Sequence, residues 1–155
     1  MNEILKNLLR EEEELQFTNF NEVTAWEIGS RIVEESKKNN LPIAIDITHG
    51  ERQLFHASRP GASADNDEWI KRKVRLVYRF GHSSFYIGQL LKSQGKCIEE
   101  KYLLPESEYG PHGGCFPVII KGSGVIGTVT VSGLPQEEDH KLVVRVIRDY
   151  LDKVR

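Results

Sequence analysis

The stretch Leu41-Pro-Ile-Ala-Ile-Asp-Ile-Thr48, with His49-Gly-Glu51 and Arg52-Gln-Leu-Phe-His-Ala57 behind it, decides the fold class. Isoleucine occurs at every second position of the first segment, which is the two-residue period of a β-strand. Gly50 permits a tight turn, and the third segment continues as a second strand. The two strands are predicted to form an antiparallel hairpin, so the sheet is at least partly antiparallel.

A second hairpin is predicted where Cys115–Lys121 and Val125–Ser132 flank Gly122-Ser-Gly124. Between 95 and 114, glycine and proline predict an irregular loop with a short strand near Ile98–Tyr102. Apolar residues at helical spacing predict helices over Met1–Leu15, from a cap at Asn21 to about Asn39, from Asp65 or Asn66 to Phe80, from His82-Ser83-Ser84 to Gln94, and from Pro135, as the first helical position, to the end. Because the strands come in pairs, the fold class is predicted to be α+β rather than a doubly wound sheet.

Length and composition exclude several classes of protein. With 155 residues, 39% hydrophobic and 28% charged, the chain is expected to form a single domain over 1–155 that starts with an amphipathic helix at 1–15. Its 21 basic and 23 acidic residues give a net charge of −2, so no nucleic-acid partner is expected. The sequence shows no signal peptide and no apolar stretch near the roughly 18 residues of a membrane span, so no membrane partner is expected either.

The cysteines and histidines favour a cytoplasmic protein without a metal site. Cys97 and Cys115 fit no zinc spacing and are interpreted as reduced thiols. The five histidines form no HxH or HExxH motif and no pair at i,i+4 spacing, so no metal ligand is assigned. A haem iron needs one suitable axial side chain, so spacing leaves that role open for each histidine.

The third predicted helix carries the densest group of cations in the chain, namely Lys71, Arg72, Lys73, Arg75 and Arg79. Two interpretations are open. The group is either a solvated helix face or an anion site, because a guanidinium group matches the geometry of carboxylate and phosphate. In the second case the pocket would be completed by residues just upstream, Arg59, Asp65, Asn66 and Trp69.

Two short motifs have both a structural and a functional interpretation. Gly113-Gly114 either forms a tight turn or lets the backbone come close to a ligand. His82-Ser83-Ser84 is explained by a helix cap at Ser83 or Ser84. A serine hydrolase would also need a positioned carboxylate, for which Asp46 and Asp139 are available, and oxyanion donors.

The order of motifs along the chain resembles a known family. The motifs are Ile43-Ala-Ile-Asp-Ile-Thr-His-Gly-Glu-Arg-Gln-Leu54, Arg59-Pro-Gly-Ala62, a Lys/Arg-rich helix, Gly113-Gly114 with Phe116-Pro117-Val118, and Gly124-Val-Ile-Gly-Thr-Val-Thr-Val-Ser-Gly133 ahead of Glu138-Asp139. As an ordered set they are similar to the haem-degrading-domain family, the GlcG/HbpS-like proteins, over about residues 20–150. Pro60-Gly-Ala-Ser-Ala-Asp-Asn-Asp-Glu-Trp-Ile-Lys-Arg-Lys73 and Gly81-His-Ser-Ser84 resemble an uncharacterised cytoplasmic branch of that family.

This resemblance implies a three-layer α/β/α domain with a central antiparallel sheet, of the profilin or PAS-like kind, assembled into a homo-oligomer. Relatives in the wider family bind haem or a corrinoid-related partner. No established iron-ligating residue of the family aligns with a residue of this chain, so haem remains a possible cofactor without an assigned ligand. Fold alone does not transmit function.

The leading hypothesis is an oligomeric cytoplasmic protein that binds a small anionic ligand or has an accessory role, with no catalytic residue assigned. The alternatives are a haem-binding or haem-degrading protein and a non-catalytic structural scaffold. The pocket is expected where the 59–73 segment and the His82 motif meet the double-glycine turn. Its candidate residues are Arg59, Asn66, Trp69, Arg72, Lys73, His82, Ser83, Ser84, Gly113 and Gly114.

Overall fold

The computed structural model describes residues 2–155, which contain six helices and five strands. The helices are α1 (Glu3–Glu14), α2 (Glu22–Asn39), α3 (Ala64–Phe80), α4 (Ser84–Gln94), α5 (Ile98–Tyr102) and α6 (Gln136–Val154). The strands are β1 (Gln16–Phe17), β2 (Ala44–His49), β3 (Arg52–Ser58), β4 (Cys115–Ile120) and β5 (Gly124–Ser132). None of the described helices combines the length and the apolar character needed to cross a bilayer.

The strands form one sheet in the order β1-β4-β5-β2-β3, and both predicted hairpins are confirmed. β2 pairs antiparallel with β3, and β4 pairs antiparallel with β5. A third antiparallel pairing, between β2 and β5, joins the hairpins into one sheet. β1 pairs parallel with β4 at one edge. The sequence pattern does not indicate β1, because two residues are too few to show a period.

Helices cover both faces of the sheet. On one face α2 and α6 bury Ile28 and Val143 against Ile45 and the other inward-facing side chains of β2, β4 and β5. On the other face α3 contacts β2, β4 and β5. The face towards α2 and α6 is apolar, whereas the face towards α3 carries buried polar side chains, and a helical layer shields each face from water. The α+β class with a three-layer arrangement is therefore confirmed.

The N-terminal helix packs against its own chain. Leu5 and Leu8 are buried in a second apolar cluster that includes side chains of α3 and α4. Two histidine–carboxylate pairs add polar contacts, His82 with Glu12 (2.7 Å) and His140 with Glu11 (2.9 Å). Because His82 lies next to Ser83, the N-cap of α4, and His140 belongs to α6, α1 is held on two other helices.

Two element boundaries and the type of one element differ from the sequence predictions. The N-cap of α3 is Ser63 and not Asp65 or Asn66, because Asn66 lies one turn further on and its Oδ1 accepts a hydrogen bond from Ser63 N (2.9 Å). The segment Ile98–Tyr102 forms α5 and not a strand. Pro135 is the N-cap of α6, one residue ahead of the first helical position.

Candidate functional site

Two of the three arginines of α3, Arg72 and Arg75, bind backbone carbonyl groups. Arg72 Nε donates to the carbonyl oxygen of Ser107 (3.1 Å), and its guanidinium lies 4.8 Å from the centre of the Trp69 ring. Arg75 Nη1 donates to the carbonyl oxygen of Glu108 (3.2 Å). These two side chains therefore fasten the segment between α5 and β4 to the helix.

Lys73 lies between these arginines in sequence but points inward and is only 3% exposed. Its Nζ donates to the carbonyl oxygen of Val131 in β5 (3.3 Å) and lies 3.4 Å from Oδ2 of Asp139. Asp139 lies near the start of α6, and its Oδ1 accepts a hydrogen bond from Leu134 N (2.9 Å). A lysine–carboxylate pair is thus buried where α3, β5 and α6 meet.

Burial alters the proton affinity of both members of this pair. Desolvation lowers the pKa of Lys73, although the neighbouring Asp139 charge opposes that shift. Desolvation raises the pKa of Asp139 to about 6, against the attraction of Lys73. The charged form of the pair and its neutral form, amine and carboxylic acid, are therefore closer in free energy than they would be in water.

A cavity of about 280 Å³ lies beside this pair, and we call it the Lys73 cavity. Its wall is built from the first turns of α3, the turn between β5 and α6, the start of α6 and the segment before β4. The lining residues are Asp65, Asn66, Trp69, Lys73, His112, Ser132, Gly133, Leu134, Gln136 and Asp139. Donors and acceptors thus surround a space of small-molecule size.

Neutral groups occupy the wall around the buried pair. The rings of Trp69 and His112 pack edge to face with centroids 5.2 Å apart. Burial lowers the pKa of His112, so this imidazole is neutral at pH 7. Asn66 Nδ2 donates to Ser132 Oγ (3.3 Å). Among the lining residues of the Lys73 cavity, Lys73 is the one cation, and Asp65 and Asp139 are the two carboxylates.

The double-glycine turn lies against Lys73 and the start of α6. Gly114 has a φ of +135°, and a Cβ atom there would lie 2.7 Å from Lys73 Nζ. Gly113 N donates to Gln136 Oε1 (2.9 Å), and a Cβ on Gly113 would overlap the Gln136 backbone. The third helix and the double-glycine turn do meet, and Lys73 rather than an arginine makes the contact.

The structure places four sequence candidates away from this cavity. His82 binds Glu12 on α1, as described above. Ser83 Oγ caps α4 by accepting a hydrogen bond from Tyr86 N (3.1 Å), so its structural interpretation is confirmed. Ser84 Oγ accepts one from Cys115 N (3.0 Å) and ties α4 to β4. Arg59 lies next to the end of α2, beside Asn40 and Leu41.

The Lys73 cavity therefore brings together three of the candidates, Asn66, Trp69 and Lys73, while Arg72, Gly113 and Gly114 adjoin its wall. Sequence reasoning did not assign Asp139, His112, Ser132 or Gln136 to the pocket. His112 directly precedes the double glycine and could have been included on that ground. Asp139 is 66 positions from Lys73, and no local pattern links the two.

A second polar cluster joins the first hairpin to α3. Asp46 Oδ1 accepts a hydrogen bond from Gln53 Nε2 (2.5 Å) and lies 3.4 Å from His56 Nδ1. His56 Nε2 lies 3.4 Å from Oδ1 of Asp67 on α3. Burial raises the pKa of Asp46. Within residues 2–155, no three or more His, Cys, Asp or Glu side chains are arranged to hold a metal ion.

Comparison with known sequences relates most of the chain to one family. Residues 20–148 match the family described as "Haem degrading protein HbpS-like". A UPF0303 protein of Streptomyces coelicolor is 45% identical over 144 residues, which cover 93% of this chain and 91% of the relative. A UPF0303 protein of Psychromonas ingrahamii is 43% identical over 151 residues, covering 97% and 95%.

Solved structures share the fold. The Ybr137w protein superposes with a TM-score of 0.89 at 34% identity, over 97% of this chain and 88% of that chain. A double mutant of HbpS from Streptomyces reticuli gives a TM-score of 0.67 at 17% identity, over 88% and 89%. A PduOC:heme complex gives 0.66 at 16% identity, over 84% and 92%. At such identities the last two are similar to this chain in fold alone.

Proposed function

For this chain, which belongs to the family of HbpS-like haem degrading proteins, we propose a binding function. The ligand we propose is a small carboxylate-bearing molecule held in the Lys73 cavity. The observation that carries the proposal is a buried lysine on the wall of an open cavity. Burying a charged side chain is unfavourable unless partners compensate it. A ligand carboxylate is a partner of the required sign.

The contacts of Lys73 leave room for such a ligand. An ammonium group has three N–H bonds. Val131 O (3.3 Å) and Asp139 Oδ2 (3.4 Å) accept two of them, both at long distance. A ligand oxygen in the cavity can accept the third. Gln136 and Asn66 supply amide N–H groups on the same wall, and the Trp69 ring supplies an apolar surface for the rest of the ligand.

The charges of the cavity favour a monoanion over a polyanion. Two carboxylates, Asp65 and Asp139, line the cavity together with Lys73. A phosphate dianion would place additional negative charge next to both, and like charges at short range repel. A single carboxylate uses the lysine with the least repulsion. We therefore expect small monocarboxylates to bind more tightly than inorganic phosphate.

Haem, which the family description raises, does not fit the Lys73 cavity. A porphyrin needs an extended apolar slot for its two faces and an axial ligand. The wall carries Lys73, Asn66 and two carboxylates around about 280 Å³. His112 is the one histidine among the lining residues. A strong Soret band on addition of haem to the purified protein, lost in His112→Ala, would contradict this conclusion.

Titration calorimetry with lactate, pyruvate and inorganic phosphate tests the proposal. Lys73→Met is expected to weaken carboxylate binding at least about tenfold, because a charge-assisted hydrogen bond contributes about 1.5–3 kcal/mol. Lys71→Met is the matched control, since Lys71 is exposed on the same helix and pairs with Glu68 (2.8 Å). Equal affinity in the two variants, or tighter binding of phosphate than of carboxylates, would refute it.

The proposal includes a homo-oligomer in the cytoplasm. Support for the oligomer comes from Val23 and Trp26, each 67% exposed on α2, and from strand β3, which forms an edge of the sheet. Support for the location comes from the free thiols of Cys97 and Cys115. Native mass spectrometry of protein purified from its host reports subunit number and retained ligand together. An oligomer without a saturable ligand would instead favour a structural scaffold.

A further inference from the structure

We propose that Lys73 forms an imine with the carbonyl carbon of a small 2-oxo acid in the Lys73 cavity, with Asp139 carrying the proton. The inference rests on the proposed function, because it uses the same cavity. It narrows the ligand from any small carboxylate to one that has a carbonyl group beside the carboxylate. It also gives Lys73 a covalent role in addition to its charge.

The surroundings of Nζ suit a nucleophilic amine. A neutral amine has two N–H bonds and one lone pair. The Val131 carbonyl oxygen (3.3 Å) accepts one of these N–H bonds, and Asp139 Oδ2 (3.4 Å) lies close enough to receive the proton that the ammonium group loses. Because Lys73 is part of the cavity wall, a carbonyl carbon bound in the cavity can approach the lone pair.

The bare backbone of Gly114 packs directly against the same atom. A side chain at this position would bring its Cβ to 2.7 Å from Nζ, and also into contact with the Val131 carbonyl oxygen. Nζ therefore borders the cavity on one side and bare backbone on another. The tetrahedral intermediate would extend from Nζ into the cavity.

Asp139 is placed to take and return the proton. Transfer of one proton from the Lys73 ammonium to Asp139 gives an amine and a carboxylic acid without changing the net charge of the pair. Desolvation favours this neutral form, since it lowers the pKa of Lys73 and raises that of Asp139. Desolvated lysines of this kind serve as Schiff-base nucleophiles.

The reaction balances within the cavity. The amine nitrogen attacks the carbonyl carbon, the carbon–oxygen double bond becomes a single bond, and a proton moves from nitrogen to oxygen to give a carbinolamine. Asp139 then donates its proton to the hydroxyl group, which leaves as water while the nitrogen–carbon double bond forms. The products are a protonated imine and an ionised Asp139. The imine nitrogen is again a cation, so it keeps attracting the carboxylate of the bound 2-oxo acid. A simple aldehyde has no carboxylate and lacks this attraction.

The nearby thiol is a poor competitor for the carbonyl group. Cys115 is fully buried, and desolvation raises its pKa to about 12. It is therefore a neutral thiol at pH 7, whereas the thiolate is the reactive form. The amine of Lys73 is the nucleophile that the cavity presents.

Reductive trapping tests the inference on the full chain. The protein is incubated with pyruvate and cyanoborohydride at pH 7, and the products are analysed by intact mass and peptide mapping. We expect one reduced pyruvyl group per chain, located on Lys73, and none in Lys73→Arg, while Lys71→Arg reacts like the unmodified protein. Mapping of the unmodified protein locates the adduct even if Lys73→Arg fails to fold.

The role of Asp139 is tested by the rate of trapping. Asp139→Asn is expected to slow trapping about a hundredfold or more, the usual effect of removing a general acid. Glu137→Gln, an exposed change on the same helix, is expected to leave the rate unchanged. An equal rate in Asp139→Asn would show that Asp139 does not carry the proton.

The failure of this inference can be separated from the failure of the proposed function. If lactate and pyruvate bind by calorimetry but pyruvate gives no adduct, the imine is refuted and the binding function stands. Adducts spread over the exposed lysines and unchanged in Lys73→Arg refute the imine as well. If neither acid binds, the proposed function fails together with the inference.

Discussion

Gly114→Ala measures how tightly the double-glycine turn encloses Lys73. The backbone at Gly114 has a φ of +135°, a region that residues with a side chain rarely adopt, and strain of this kind amounts to about 1–3 kcal/mol. The new Cβ would also overlap the Val131 carbonyl oxygen and lie 2.7 Å from Lys73 Nζ and 3.2 Å from Asp139 Cβ, and forcing extra atoms into packed surroundings destabilises by about 1–3 kcal/mol. The two effects together amount to about 2–6 kcal/mol of a total stability of about 5–15 kcal/mol.

Gly122→Ala is the matched control for backbone strain alone. Gly122 has a φ of +79°, but a Cβ there meets no atom within 4 Å among the described residues, so we expect a loss of about 1–2 kcal/mol. Urea denaturation gives both values when the transition slopes agree. A larger loss for Gly114→Ala is the expected result. Equal losses would mean that the Val131 backbone, Lys73 and Asp139 move aside without penalty, and the close packing of Gly114 against these groups would be refuted.

Three further changes test contacts that hold the helices together. The hydrogen bond to Glu12 raises the pKa of His82 in the folded state. The His82–Glu12 pair therefore contributes fully to stability below about pH 6.5, the unfolded-state pKa, and this contribution is lost as the pH rises through the folded-state pKa. His82→Asn should therefore flatten the stability–pH curve above pH 6.5, and an unchanged slope would contradict this pairing. Leu8→Ala should lower the free energy of unfolding by about 2–5 kcal/mol, whereas Ile4→Ala, at a 54% exposed position of the same helix, should change it by less than about 0.5 kcal/mol. Arg75→Ala removes the donor to the Glu108 carbonyl oxygen and should speed amide hydrogen exchange between residues 103 and 110. Unchanged exchange rates in this segment would show that Arg75 does not hold it on α3.

The fold could be predicted where a local pattern is long enough to show its period. The alternating isoleucines of β2 and the apolar repeat of α2 gave the right elements, and Asn21 caps α2 as expected. The start of α3 was ambiguous because Ser63, Asp65 and Asn66 are all capping residues, and tertiary context selects among them. α5 spans five residues, which is little more than one turn and too short for a helical period.

The site could be predicted only in part, because its polar pair joins distant segments. Lys73 is three residues after Ile70 and four before Val77, and both of these are buried. This spacing alone puts a lysine on the core face of α3, and an interpretation of the five cations as one group does not use that signal. The partner, Asp139, comes from α6, and only the assembled sheet brings it to 3.4 Å from Nζ.

Protonation of Asp139 should accompany ligand binding. Lys73, Asp65 and Asp139 give the cavity a net charge of −1 when all three are ionised, and a bound monocarboxylate would make it −2. Because the pKa of Asp139 is already about 6, the added negative charge raises it further, and a proton is taken up at neutral pH. Affinity should therefore increase as the pH falls from 8 towards 6, and calorimetry in buffers of different ionisation enthalpy should report proton uptake by the wild type but not by Asp139→Asn. Binding without any net proton uptake at pH 7 would contradict this prediction, because it would mean that the cavity takes up no proton from the solvent to offset the charge of the ligand.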